Sequence, residues 1–142
     1  MVTATSAERK MTIDELKNYR KLTRTIRYWK RELSEAKRAS YIRSPQITGM
    51  PGSGDLSDPT PERALREAKL MERIERLVTE QQREAERIME WIQTIDDPLA
   101  QAVFHARYIR DKSWVAVSHL LHNSPENVRQ IHSRYLSHLS QK

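Results

Sequence analysis

The sequence predicts an all-α protein: a long N-terminal helical hairpin, coiled-coil-like, followed by a C-terminal three-helix unit. Three observations carry this expectation. Apolar residues recur at three- and four-residue steps through two long stretches, the signature of amphipathic helices. Helix-starting residues (Thr12, Thr60-Pro61, Ser113, Ser124-Pro125) precede those stretches and two shorter ones. All three Gly and three of the six Pro fall in one segment, 41–60, between the long stretches.

Residues 1–11 lack periodicity and are expected to fray as a disordered N-terminus. Thr12 followed by Glu15 has capping-box spacing. Ile13, Leu16, Tyr19, Leu22, Ile26, Trp29, Leu33 and Ala36 then form an apolar stripe to about Ser40, with Lys and Arg on the other face. The Gly- and Pro-bearing linker 41–60 cannot continue that helix. A second long helix starts near Thr60 with Pro61 at its first position. Its stripe runs through Leu65, Ala68, Met71, Ile74, Leu77 or Val78, Gln81, Ala85, Ile88, Ile92 and Ile95. The heptad-like spacing predicts an antiparallel hairpin over 12–97, with Leu22, Ile26, Ile74 and Ile88 in its seam. Pairing between two copies of the chain is the alternative.

Asp96-Asp97-Pro98 closes that helix and opens the C-terminal unit, 98–142. A third helix is expected to about Arg110, with Leu99, Ala102, Val103, Ala106 and Ile109 inward. Asp111-Lys112 make a turn. Ser113 caps a fourth helix to about Leu121. His122-Asn123-Ser124 form a three-residue turn in which Asn123 can take a left-handed backbone. Ser124 caps a last helix to about Ser140, with Pro125 in its first turn.

Composition removes much chemistry. The chain has 142 residues, no Cys and a net charge of +6. Disulfides, thiolate zinc sites and Cys nucleophiles are excluded. No run approaches the roughly 20 apolar residues of a membrane span, and the first ten residues hold no apolar signal core, which predicts a cytoplasmic protein. Charge is uneven: net +7 over residues 1–45, −5 over 46–98 and +4 over 99–142. Basic ends suggest a polyanionic partner, nucleic acid above all. For the N-terminal segment, attraction to the acidic middle is an equal alternative.

The last two helices, joined by a short turn, have the form of a helix-turn-helix. Val117, Leu120 and Leu121 are expected to face inward from the first member. Val128, Ile131, Tyr135 and Leu139 do so from the second. At 100° per residue, Glu126, Gln130, Ser133 and Ser137 cluster opposite Val128, with Arg129 at the edge. Such side chains can bond base edges or phosphates.

The segment Ser124 to Leu139, SPENVRQIHSRYLSHL, resembles the recognition helix of sigma-70 region 4: a Ser cap, the run Val128-Arg129-Gln130-Ile131, and Leu136 and Leu139 in the tail. FHARYIRDKSWVAVSHLL resembles the preceding helices of that family, through Arg107-Tyr108 and Ser113-Trp114. The order of basic helix, ITGMPGSG linker, acidic helix and sigma-like unit is similar to phage and prophage late-gene regulators of the ArpU and RinA type. The resemblance implies a phage-derived transcriptional activator with double-stranded DNA as partner and host RNA polymerase as a further one. It also implies base reading at the positions of Pro125, Glu126 and Gln130; Pro125 stands where the family usually has Arg. With Lys112, Arg129 and Arg134 on phosphates, the expected DNA-contacting set is Lys112, Ser124, Glu126, Asn127, Arg129, Gln130, Ser133 and Arg134. The hairpin would form a homodimer or touch polymerase.

Other chemistry ranks lower. His119-x-x-His122 has ligand spacing but no placed third ligand, so no metal or other cofactor is expected. No Gly-x-Ser-x-Gly elbow supports a hydrolase, and no enzymatic activity is expected. Trp29, Trp91 and Trp114 are expected as core anchors. A small terminase subunit binding packaging DNA, and a helical scaffold without DNA binding, are the alternatives.

Overall fold

A computed structural model describes residues 10–43 and 60–139, with side chains described for 10–39 and 60–139. Five α-helices and a short π-helical segment build them, with no strand among the described residues: α1 (Ile13–Arg43), α2 (Pro61–Gln93), α3 (Pro98–Phe104), the π segment (His105–Ile109), α4 (Trp114–Leu120) and α5 (Pro125–Leu136). The fold class is all-α. The first helix runs to Arg43, three residues into the expected linker. The rest of that linker up to residue 59, and residues 1–9 of the expected disordered N-terminus, lie outside the described residues. No helix among the described residues is long and apolar enough to cross a membrane.

The starts of these helices are local chemistry. Thr12 and Glu15 form the reciprocal capping box: Thr12 N–H donates to Glu15 Oε2 at 2.9 Å and Glu15 N–H donates to Thr12 Oγ1 at 3.1 Å. Thr60 Oγ1 accepts from Arg63 N–H at 3.2 Å, just before Pro61. Asp97 Oδ1 accepts from Leu99 N–H at 3.0 Å, and Pro98 follows at the first helical position.

The described residues divide into two compact units. One joins the described residues of Met1–Thr23 to those of Glu80–Lys142; the other is built from Arg24–Thr79. The first unit holds a core of Leu16, Ile88, Val103, Phe104, Val117 and Val128, all fully buried. Met11, Tyr19, Ile92, Ile95, Ala100, Tyr108 and Ile131 extend it. This core crosses the boundary at residue 98 that the sequence suggested, because the short C-terminal helices leave apolar faces that the start of α1 and the end of α2 cover. Met11, placed in the fraying segment by sequence, is 2% exposed. At about 1.5–3 kcal/mol for each large side chain buried, these contacts dominate the unit's stability.

Within this unit α1 and α2 run antiparallel. Arg87 Nη1 bonds Glu15 Oε1, and eight residues further along α1, Gln81 Nε2 donates to Thr23 Oγ1 at 3.1 Å. Arg87 is buried, and its Nε and Nη2 have no hydrogen-bond partner among the described residues. Arg20 Nε donates to Asp111 Oδ1 at 2.9 Å, tying α1 to the turn before α4.

In the second unit Ile26 and Ile74 are buried, as the seam requires. Arg73 lies over the Trp29 ring at 4.7 Å, and Tyr28 meets Trp29 edge-on at 5.0 Å. The outer stripe of α2 departs from expectation. Leu65 is 55% exposed and Met71 43%; Ala68 is exposed too. Leu65 and Ile74 are nine residues apart, which is about 180° around a 3.6-residue helix. One straight face cannot bury both. Of the other expected seam residues, Leu22 is half-buried and Ile88 lies in the first unit's core.

Candidate nucleic-acid interface

The expected third helix is α-helical only to Phe104; His105–Ile109 widen into a π turn, closed by Arg110 N–H on His105 O at 3.0 Å. Asp111 follows with a left-handed backbone, φ 52°, which Asp tolerates. Its carboxylate is the one that Arg20 holds. Ser113 Oγ then accepts from Ala116 N–H at 3.2 Å and starts α4.

The turn between α4 and α5 closes as a Schellman motif. Asn123 N–H donates to Ser118 O at 3.0 Å and His122 N–H to His119 O at 3.4 Å. The left-handed residue is His122, φ 53°, and not Asn123 as the sequence suggested. Asn123 instead works through its side chain. Its Nδ2 donates to Leu121 O at 3.3 Å, and its Oδ1 accepts from Asn127 Nδ2 at 2.6 Å. Ser124 Oγ accepts from Asn127 N–H at 3.1 Å and starts α5.

The inner side of α5 is Val128 and Ile131, both buried, with Tyr135 half-buried; the helix ends at Leu136, short of the expected Ser140, and Leu139 beyond it is half-buried. His132 shares that side, about 40° from Val128, and is half-buried rather than part of the polar surface. Its Nε2 lies 2.6 Å from Tyr108 Oη. The ring stacks on Phe104 at 5.1 Å and meets Trp114 edge-on at 4.7 Å. Arg107 caps the Trp114 ring at 4.3 Å and donates to Lys112 O at 3.0 Å. Trp91 closes the cluster on Phe104 at 5.0 Å. Burial, reinforced by the Arg107 charge, pulls the His132 pKa down to about 4. Burial pushes the Tyr108 hydroxyl up, partly offset by Arg107 and Arg20. Both groups are therefore neutral near pH 7, and aromatic contact with α3, the π turn and α4 fixes the rotation of α5.

That rotation leaves Glu126, Arg129, Gln130, Ser133 and Arg134 exposed. Glu126, Gln130 and Ser133 fall within an arc of about 60°, with Arg129 and Arg134 flanking it on opposite sides. Neither family models, nor characterised proteins, nor solved structures give a match to this chain. The surface is therefore read from its own chemistry. A row of hydrogen-bonding side chains between two guanidinium groups suits a groove edged by phosphates.

Three of the eight expected residues sit differently. Ser124 spends its hydroxyl on the cap, and Asn127 is half-buried with its amide on Asn123; both organise the turn. Lys112 is exposed but lines a groove of about 690 Å³ together with Met89, Ile92, Ala102, Leu120 and Leu121. Leu120, expected inward, is 57% exposed on that groove, and Ser118 is buried in its stead, bonded to Val115 O at 2.6 Å. Ser137, on the outward arc by sequence, turns its hydroxyl back to Arg134 O at 2.7 Å.

Proposed function

We propose that the protein is a sequence-specific, double-stranded DNA-binding regulator of transcription that reads the major groove with α5. One observation supports this above the rest: a helix locked on its inner side by the His132 cluster presents Glu126 and Gln130 outward, one turn apart, between Arg129 and Arg134. A Gln amide can pair bidentately with adenine N6 and N7, and a Glu carboxylate can accept from cytosine N4. Both lie in the N-terminal half of α5, the part that contacts base edges in helix-turn-helix proteins. The resemblance to ArpU- and RinA-type regulators adds the biological setting: activation of phage genes alongside host RNA polymerase.

The test is selection on randomised duplexes. Gln130→Ala is expected to relax the preference at one base pair, losing about 1–3 kcal/mol there, with non-specific affinity nearly unchanged. Arg134→Ala is expected to weaken all sequences alike and to flatten the slope of log K against log salt by about 0.9. An unchanged preferred site in both Gln130→Ala and Glu126→Ala overturns groove reading by this face.

A further inference from the structure

Arg24, Arg27, Arg31 and Arg38 of α1 are exposed, and all belong to the unit Arg24–Thr79. At 100° per residue they fall within an arc of about 60°, on the side opposite Leu33. Tyr28 lies beside the arc and is 53% exposed. From Arg24 to Arg38 the ridge extends about 21 Å at 1.5 Å per residue.

Whether these cations serve an acidic partner helix depends on the charge of α2. Residues 24–38 carry six basic and two acidic side chains, Glu35 being the acid on the ridge itself. The part of α2 in the same unit, residues 61–79, carries five basic and four acidic, so it is not an acidic counterpart. The acidic excess of the middle segment is concentrated in residues 80–98, with six acidic against two basic, and these belong to the other unit. Among the described residues of this unit, basic side chains therefore outnumber acidic ones.

We propose that this arginine ridge is a second DNA-contacting surface, which grips the phosphate backbone of duplex DNA. The proposal deepens the DNA-binding reading and rests on it for the choice of ligand. Duplex DNA carries one charge per roughly 1.7 Å of axis, both strands counted, so about a dozen charges lie within the length of the ridge. Arginine is the cation at all four positions, and its planar fork matches phosphate oxygens. An acidic protein would be the other polyanion, but protein interfaces centre on apolar residues. Here Tyr28 is the one large aromatic among four arginines.

The experiment uses the full chain and a 30-base-pair duplex of arbitrary sequence, with affinity measured between 50 and 200 mM salt. The variants are Arg24→Gln/Arg31→Gln/Arg38→Gln, the matching triple Lys variant, Gln130→Ala and Glu126→Ala, the last two also taken through the selection on randomised duplexes. Three lost contacts at about 0.9 each predict that the Gln triple loses roughly 40-fold less affinity over that salt range than the wild type. The Lys triple is expected to keep the wild-type slope, and circular dichroism of both triples is expected to match the wild type. A Gln triple with the wild-type slope overturns the proposal. So does one that loses binding to poly-glutamate while keeping the duplex, since the ridge would then serve an acidic protein. If Gln130→Ala and Glu126→Ala keep the wild-type preferred site while the Gln triple flattens the slope, reading by α5 fails and the ridge contact stands.

Discussion

His132 and Arg87 are polar side chains largely withdrawn from water, and disturbing either is costly. The folded-state pKa of His132, about 4, lies below the ordinary value of 6.5. The unfolded chain therefore binds the proton more readily, and stability falls as pH drops through 6.5 and on towards 4. Below that both states are protonated and the penalty is complete. Thermal unfolding followed from pH 7.5 to 4 is expected to show this loss, and His132→Phe is expected to remove that part of it. An identical pH profile in the variant would mean that the ring is not held neutral. Glu15→Gln strips Arg87 of its charged partner inside the protein, with two of its nitrogens already lacking an acceptor among the described residues. Destabilisation near the low end of about 3–5 kcal/mol is expected, because Glu15 keeps some contact with water. Arg87→Met is expected to cost far less, since it removes the buried charge itself. Denaturant unfolding of the two variants gives the comparison directly.

Each helix obeys a local rule at its start and a distant one along its face. Thr12, Thr60, Asp97, Ser113 and Ser124 all accept from the backbone N–H groups they were placed to satisfy. The facing of α2 is less local, because its apolar residues spread around more than half of the helix. Ile74→Asp puts a carboxylate in the α1–α2 seam and is expected to cost several kcal/mol. Leu65→Asp, nine residues away on an exposed side, is expected to stay within about 0.5 kcal/mol. Equal effects of the two substitutions in urea unfolding would show that the seam does not run through Ile74.

For the whole molecule, the unit that carries α5 is assembled from both ends of the chain. A fragment of residues 98–142 lacks Leu16, Ile88 and Ile92, which close its core, and the Arg20 that holds Asp111. It is expected to show poor amide dispersion and no cooperative melting, whereas the full chain melts cooperatively. A sharply melting fragment would show that those contacts are dispensable. By itself the sequence determined the all-α class, the helix starts, the capping box and the outward arc of Glu126, Gln130 and Ser133. Those features depend on residues within one or two helical turns of each other. Only the tertiary structure decided that His132 is an inner residue and that Asn127 serves the turn. The same holds for Leu120 facing a groove and for Asp111, whose partner is 91 residues away. Burial, ion pairing and aromatic contact join residues far apart in the chain, and a periodic pattern records which faces are apolar without recording what covers them.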